Sequence, residues 1–208
     1  SSRGIMVRMK GAVLVTTTFA SPLGDILLAA DAHGLTGLWF DGQAHFGSTL
    51  IKEGREDRCE HLEGADAVSG SVGVAAAEPA NAAASAVLER AWAWLNAYFA
   101  GQEPRFTPPL HMIGTPFQRE VWSQLLGIPR GEVVSYGDIA ARIAARHRTI
   151  DDPEPHVSPR AVGGAVGRNP ISIIVPCHRV VAADGSLNGY AGGLDRKEWL
   201  LRIEGAYE

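Results

Sequence analysis

The sequence predicts an α/β protein with a small N-terminal β-sheet domain that carries a helix. A mostly helical C-terminal domain with a helix-turn-helix-like pair follows. Two observations predict this: the first 50 residues alternate β-rich runs with turn signals, and helix-start signals recur after residue 114. We place the domains at 1–110 and 111–208, with a flexible connector at about 63–85.

Three β-rich runs, at 13–19, 26–30 and 35–40, predict a small meander, with Ser21-Pro22-Leu23-Gly24 as the first turn. The stretch 63–85 is rich in Ala, Gly, Ser and Val and predicts a loose connector. A helix follows, because large apolar residues recur at spacings of three and four up to Phe99, and Gly101 ends it.

Capping signals place two helices in the C-terminal half. Thr115-Pro116-Phe117-Gln118 combines an N-cap, a proline at the first helical position and a capping-box glutamine, which predicts a helix over 116–126. Ser135-Tyr136-Gly137-Asp138 is a second capping box and predicts a helix over 136–145.

Ser158-Pro159 predicts the start of a further helix over 159–168, which Asn169-Pro170 ends. The apolar run 171–175 predicts a buried strand, and 195–204 predicts a last helix.

Composition limits the class of protein. With 46% hydrophobic and 20% charged residues in 208, the chain is expected to fold, and its apolar runs are shorter than the roughly 20 residues of a membrane span. Two cysteines without a Cys-x-x-Cys spacing predict no metal site, no disulfide framework and a reducing, cytoplasmic location. Basic and acidic residues number 8 and 12 in 1–114 but 11 and 11 in 115–208, which permits a nucleic-acid surface in the second half without demonstrating one.

The helices at 136–145 and 159–168 are typical of a helix-turn-helix, although ordinary helix pairs share this pattern. The second helix contains Gly163, Gly164 and Gly167, and each interior glycine costs about 1 kcal/mol relative to alanine. One explanation is a bare surface that lies against a DNA minor groove, with Arg160 as the penetrating residue. The alternative is tight packing against another helix.

Cys177 is the candidate nucleophile. It follows the predicted strand and Pro176, and the adjacent His178 and Arg179 would favour a thiolate. Adjacent residues of an extended chain point to opposite sides, so Cys177 and His178 cooperate only if the chain turns or a water bridges them. A buried, inert cysteine beside a structural histidine is the alternative.

Several motifs carry a resemblance to a known family. The segments Arg160-Ala-Val-Gly, Pro176-Cys177-His178-Arg179-Val180 and Gly189-Tyr190-Ala-Gly-Gly resemble the O6-alkylguanine-DNA alkyltransferases, also called methylated-DNA-protein-cysteine methyltransferases. Ser135-Tyr136-Gly137 agrees as well, and Ser21-Pro22-Leu23-Gly24 agrees more faintly.

The resemblance implies direct DNA repair by a suicide enzyme. A methyl or other alkyl group would pass once and irreversibly from O6 of guanine in duplex DNA to Cys177, without a cofactor, and O4 of thymine is left open as a second substrate. A proton relay would run from Cys177 through a water to His178 and Glu204, with Asn169 as a hinge between the recognition helix and the thiol.

The resemblance also implies that the damaged nucleotide is flipped out of the duplex. Arg160 would fill the vacated space, and Tyr136 would contact the flipped base and its neighbouring phosphate. Tyr190 would form a wall of the base pocket.

Backbone groups of Cys177 and Val180 would bind the exocyclic amine of guanine, and the backbone N–H of Ala191 would serve O6. We also expect Arg179 to contact the DNA or the substrate. The chain is expected to act as a monomer, with cooperative binding along DNA left open.

The chain departs from the family in three places. Position 191 is alanine where some members carry serine, so a backbone N–H must serve O6 alone. The turn 141–159 is enlarged and contains Asp151, Asp152 and Glu154, so we expect it to project away from the duplex or to move on binding. The front half lacks the zinc ligands of some members, which makes Cys59 structural or incidental.

Three other hypotheses for the function remain: a non-catalytic lesion-recognition module, a Cys-His hydrolase and a plain transcription factor. The fate of the thiol separates the first two from a transferase. A transferase is alkylated permanently, a hydrolase turns over, and a recognition module does neither. A transcription factor would bind undamaged DNA tightly and sequence-specifically.

Overall fold

The computed structural model describes residues 5–9, 12–50 and 77–207, and its N-terminal half contains the predicted antiparallel meander. The strands, in sheet order, are β1 (Ile5–Met9), β2 (Ala12–Ser21), β3 (Gly24–Ala30) and β4 (Leu35–Phe40). The turn between β2 and β3 closes at Gly24, whose φ of +101° favours glycine.

Helix α1 (Ala77–Phe99) packs across β2, β3 and β4. The loose connector expected at 63–85 is therefore wrong for residues 77–85, where an alanine-rich sequence forms helix because alanine has the highest helix propensity. Residues 63–76 lie outside the described residues. The helix ends before Gly101, as predicted, and Gly101 has a φ of +77°.

The C-terminal half is mostly helical. Its elements are α2 (Pro116–Leu126), β5 (Val134–Ser135), α3 (Tyr136–His147), α4 (Pro159–Gly167), β6 (Val180–Val181) and α5 (Leu194–Glu204). Both predicted capping boxes form, at Thr115 with Gln118 and at Ser135 with Asp138. Ser158 makes no side-chain capping bond to the described residues of α4, so proline alone marks that start.

The strand predicted at 171–175 is wrong. Only Ile171 pairs with a strand, through a parallel bridge to Leu38, and the chain then turns through Ile173, which has a φ of +68°. All five residues are buried. An apolar run indicates that a segment is buried but does not determine its backbone conformation. Here the buried segment is a compact turn and not a strand.

The two halves share one hydrophobic core. Strand β4 forms parallel bridges to two segments outside the sheet. Leu35 pairs with Leu110, and Leu38 pairs with Ile171. Large side chains of the sheet, α1, α2 and α5 belong to the same buried cluster. In the described part of the chain, no helix is long and apolar enough to cross a membrane.

Candidate active site

Cys177 and His178 lie in a single 3-10 turn, Cys177–Arg179, directly after Pro176. The turn satisfies the condition that the sequence left open, since the chain is not extended at these two residues and both side chains are buried. Cys177 is 3% exposed and His178 is completely buried. The two residues can therefore act together.

Asn169, at the end of α4, connects that helix to the thiol. Its Nδ2 donates to the carbonyl oxygen of Val175 (2.8 Å) and to Sγ of Cys177 (3.0 Å), and its Oδ1 accepts from the N–H of Ile171 (3.0 Å). These bonds close the turn at 171–175 and fix the sulfur relative to α4.

Glu204, near the end of α5, collects donors from three side chains. Its Oε1 accepts from Nε2 of His178 (2.9 Å), the hydroxyl of Tyr98 (2.7 Å) and Nη2 of Arg179 (2.9 Å), and its Oε2 accepts from Nε of Arg179 (2.7 Å). Burial alone would raise the pKa of Glu204, but the bonds from His178 and Arg179 outweigh it and hold that pKa far below its usual range. The carboxylate is ionised at neutral pH.

His178 is a neutral base. Burial lowers its pKa despite the bond to Glu204, so the ring is uncharged at neutral pH. An ionised carboxylate on Nε2 assigns the ring proton to that atom, which leaves a lone pair on Nδ1. Nδ1 is buried and has no hydrogen-bond partner among the described residues.

The thiol itself is protonated. Burial raises the pKa of Cys177 to about 11, and the bond from Asn169 and the charge of Lys197 oppose that rise only in part. The expectation that its neighbours favour a thiolate is therefore wrong for the free protein, because desolvation dominates. Deprotonation needs a nearby base, and Nδ1 of His178 is suited to that role.

A pocket of about 720 Å³ lies outward of this cluster, between α3, α4 and the loop before α5. Four predicted contacts line it: Tyr136, Arg160, Tyr190 and Ala191. Ionisation of Cys177 would raise the pKa of both Tyr136 and Tyr190, because the sulfur lies close to both side chains. The pocket and the thiol are thus two parts of one site.

Tyr190 separates the pocket from the interior. Its ring meets the ring of His178 edge to face, with centroids 6.5 Å apart, and its hydroxyl is buried. The hydroxyl of Tyr136 lies within hydrogen-bond distance of the carbonyl oxygens of Asn188 (3.4 Å) and Gly189 (3.3 Å), and it can donate its proton to either one.

Two of the expected DNA or substrate contacts, Arg179 and Val180, also form hydrogen bonds within the protein. Arg179 is bonded to Glu204 and to the carbonyl of Ile128, which favours an orienting role over a DNA contact. The carbonyl of Val180 accepts from Nζ of Lys197 (2.6 Å). One of its lone pairs is therefore used within the protein.

The glycines of α4 are not required for packing within the chain. A Cβ at Gly163 would come no closer than 3.7 Å to Tyr136, one at Gly164 would lie 3.4 Å from Arg168, and one at Gly167 would meet nothing within 4 Å. Among the described residues, no neighbouring helix demands them. Gly163 and Gly167 also line the pocket, so a bare surface for an external partner is the better explanation.

Sequence reasoning assigned no role in the site to Lys197 or Tyr98. Lys197 is completely buried, donates to Val180 and Asn188, and has a pKa lowered to about 8 by burial. Lys197 precedes Leu200, Leu201 and Glu204 by three, four and seven residues, which places it on the buried face of α5. Its burial could therefore have been predicted from the helical spacing. Tyr98 reaches Glu204 from across 106 residues, and no local pattern reports such a contact.

Two family models match the chain. The ribonuclease-like domain of 6-O-methylguanine DNA methyltransferase matches residues 14–112, and its DNA binding domain matches residues 116–206. A methylated-DNA–protein-cysteine methyltransferase of Mycobacterium bovis is 53% identical over 110 residues, which are 53% of this chain and 61% of that protein. The aligned region therefore spans less than two thirds of that curated relative.

Solved structures extend the similarity. The crystal structure of the Mycobacterium tuberculosis O6-methylguanine methyltransferase is 36% identical, aligns over 92% of both chains and has a TM-score of 0.61. A structure of the M. tuberculosis protein in complex with DNA is 36% identical over 91% of both chains, with a TM-score of 0.62. With both halves matched and a relative of this identity aligned over nearly the whole length, the chain belongs to the 6-O-methylguanine DNA methyltransferase family.

Proposed function

We propose that this chain repairs alkylated DNA directly, by moving an alkyl group from O6 of guanine in duplex DNA to Sγ of Cys177, once and irreversibly. One observation carries the proposal: a buried thiol, held by Asn169, lies beside a neutral histidine that is bonded to an ionised carboxylate. The names of the relatives agree with this chemistry.

The reaction is a displacement at the alkyl carbon. The bond between Sγ and that carbon forms while the bond between the carbon and O6 breaks, and the electron pair of the broken bond stays with guanine. The thiol proton passes to Nδ1 of His178, through a water, and Glu204 stabilises the resulting imidazolium. A proton returns to guanine, so that the net products are a thioether and an unmodified base.

Tyr136 is placed to donate that last proton, and the proton taken up by His178 then restores the Tyr136 hydroxyl, so that both side chains return to their neutral forms. Burial raises its pKa, so its hydroxyl stays protonated at neutral pH. It lines the pocket and is anchored on the carbonyls of Asn188 and Gly189. A protonated phenol there can hydrogen-bond the departing base.

The pocket requires an extrahelical nucleotide. Rotating a base out of the stack costs a few kcal/mol, and a side chain that fills the gap reduces that cost. Arg160 is exposed at the first turn of α4, next to the bare glycine surface. We assign Arg160 to the gap and the glycine surface to the minor groove.

Further parts of the proposal concern the setting. The chain acts without a cofactor, as a monomer in the cytoplasm, and the backbone N–H of Ala191 contacts O6 while Tyr190 bounds the base. Asn169 transmits the position of α4 to the sulfur.

The test is the intact mass of the protein after incubation with a duplex that carries one O6-methylguanine. We expect each molecule to gain the mass of one CH2 group and to gain no more with excess DNA. The Cys177→Ala variant should gain nothing, whereas Cys59→Ser, at the other cysteine of the sequence, should react like the wild type.

An unchanged mass with retained binding of the lesion would instead identify a recognition module. Repeated release of repaired DNA without a mass change would identify a hydrolytic enzyme.

A further inference from the structure

The loop 188–192, here called the pocket loop, is held at both ends by neighbouring cations of α5. Nζ of Lys197 donates to the carbonyl of Asn188 (2.6 Å), and Nη1 of Arg196 donates to the carbonyl of Gly192 (3.0 Å). Lys197 is tied inward, to Val180. Arg196 is instead bonded to the N-terminal sheet.

Arg196 connects the pocket loop to the N-terminal sheet. Its Nε donates to the carbonyl of Leu23 (3.0 Å) in the β2–β3 turn, and its Nη2 donates to the carbonyl of Asp41 (3.3 Å) after β4. The guanidinium also lies 4.8 Å from the centre of the Phe40 ring. One planar side chain thus joins three backbone segments that are far apart in sequence.

A second link reinforces this connection. The N–H of Ala44, in the segment after β4, donates to the carbonyl of Ala191 (3.0 Å) in the pocket loop. Ala44 and His45 also line the pocket itself. The sheet domain therefore contributes directly to the wall of the site.

A shift of the pocket loop would move the base-contacting tyrosine. Gly192 is packed so closely that an added Cβ would lie 2.6 Å from the ring of Tyr190 and 3.2 Å from the ring of Phe40. Gly189 and Gly193 have positive φ, so the backbone here depends on its hydrogen bonds for a fixed position. Displacement of Gly192 would press on Tyr190.

We propose that Arg196 is a positioning residue for alkyl transfer, which fixes the pocket loop against the N-terminal sheet so that Tyr190 and Ala191 hold the base in line with Cys177. This inference rests on the proposed function. The guanidinium suits the role because its fork of donors reaches three carbonyls at once, which a lysine ammonium at the end of a flexible stem does not reproduce.

The test uses Arg196→Met, which keeps an apolar side chain near Phe40 but removes the donors. In single-turnover reactions at saturating duplex with O6-methylguanine, we expect the transfer rate to fall about tenfold, because small misplacements of a bound substrate are costly. The affinity for the duplex should stay at the wild-type value. Arg196→Lys should recover only part of the rate.

The matched control is Arg202→Met, on the same helix. Arg202 is exposed and its side chain is bonded to Glu198, so its loss should change neither rate nor affinity. Hydrogen exchange provides a readout that does not depend on activity. In Arg196→Met, the amides of 189–193 should exchange faster than in the wild type, while those of α2 should not.

Equal transfer rates in wild type and Arg196→Met would overturn the inference. So would a fall in rate that is fully explained by weaker DNA binding, with unchanged exchange in the pocket loop. If the wild type itself transfers no methyl group, the proposed function fails, and the exchange of 189–193 alone then decides whether Arg196 holds the loop.

Discussion

The interior cluster and the outer face of α4 are built in opposite ways. In the interior cluster, which comprises Tyr98, Asn169, Cys177, His178, Arg179 and Glu204, bonds to protein atoms fix each side chain. The outer face presents an exposed Arg160, Gly163 with room for a Cβ beside Tyr136, and Gly167 with open space around it. The protein thus preorganises its own chemistry but leaves the binding face to be completed by a partner.

The comparison predicts the largest loss at Glu204. Glu204→Gln removes the charge that balances the partly buried Arg179 and replaces one accepting oxygen with an NH2 group that faces other donors, so we expect a loss of about 3–5 kcal/mol in the free energy of unfolding. Urea denaturation measures it. Glu198→Gln, at an exposed pair with Arg202, should cost less than about 1 kcal/mol. Similar losses for both variants would refute the contrast between interior and surface.

Acid should weaken the same cluster without any mutation. The folded pKa of His178 lies below its usual 6.5 and that of Glu204 below its usual 4.5, so the unfolded chain binds more protons as the pH falls. Their stabilisation is complete above pH 6.5 and is lost progressively below it, first through His178 and then through Glu204.

Urea midpoints measured from pH 7 downward should therefore decline. His178→Asn should flatten the decline between pH 6.5 and 4.5. A midpoint independent of pH over this range would contradict the assignment.

On the outer face of α4 we expect substitutions to lower activity without lowering stability. Arg160→Ala should slow alkyl transfer by about tenfold to a hundredfold, because nothing then fills the gap left by the flipped base. The free energy of unfolding should change by less than about 0.5 kcal/mol, since Arg160 is exposed. Arg142→Ala, at an exposed arginine of α3, serves as the control for a general loss of positive charge. Equal effects of the two variants would remove the specific role of Arg160.

The glycines sharpen the comparison further. Gly163→Ala should stabilise the protein by about 0.5–1 kcal/mol, because the added Cβ fits and the unfolded chain loses freedom. The same methyl group should weaken DNA binding, because Gly163 lines the pocket. Gly164→Ala, one residue away and not among the pocket-lining residues, should retain affinity. Retained affinity in both variants would favour glycines without a functional role.

Local signals in the sequence predicted most of the fold. The capping boxes at Thr115 and Ser135 placed α2 and α3 at their observed starts, because the bonds involved join residues three apart. The turn at 171–175 was missed for the opposite reason. Its shape depends on the Asn169 side chain and on burial from all sides, which hydrophobicity alone does not encode.

The same distinction applies to the site. The identities of Cys177, His178 and Glu204 followed from the family motif, and the structure brings them together. The protonation state of the thiol did not follow, because desolvation depends on the surrounding packing. No pattern in the sequence indicated that Arg179 is bonded to Glu204, and only the folded chain shows that pair.

The smallest expected effect concerns the loop between α3 and α4. Helix α3 extends to His147 and absorbs part of the enlarged turn, which leaves 148–158 as the connection. A turn in which the hydroxyl of Thr149 accepts from the N–H of Asp152 exposes Ile150 almost fully.

Replacing 148–157 with a short turn should leave the salt dependence of DNA affinity unchanged if the loop projects away from the duplex. Acidic residues close to the phosphates would oppose binding, so their removal would raise affinity and steepen the slope of log affinity against log salt. Titrations at several salt concentrations therefore distinguish a loop that stays outside the interface from one that moves against the DNA on binding.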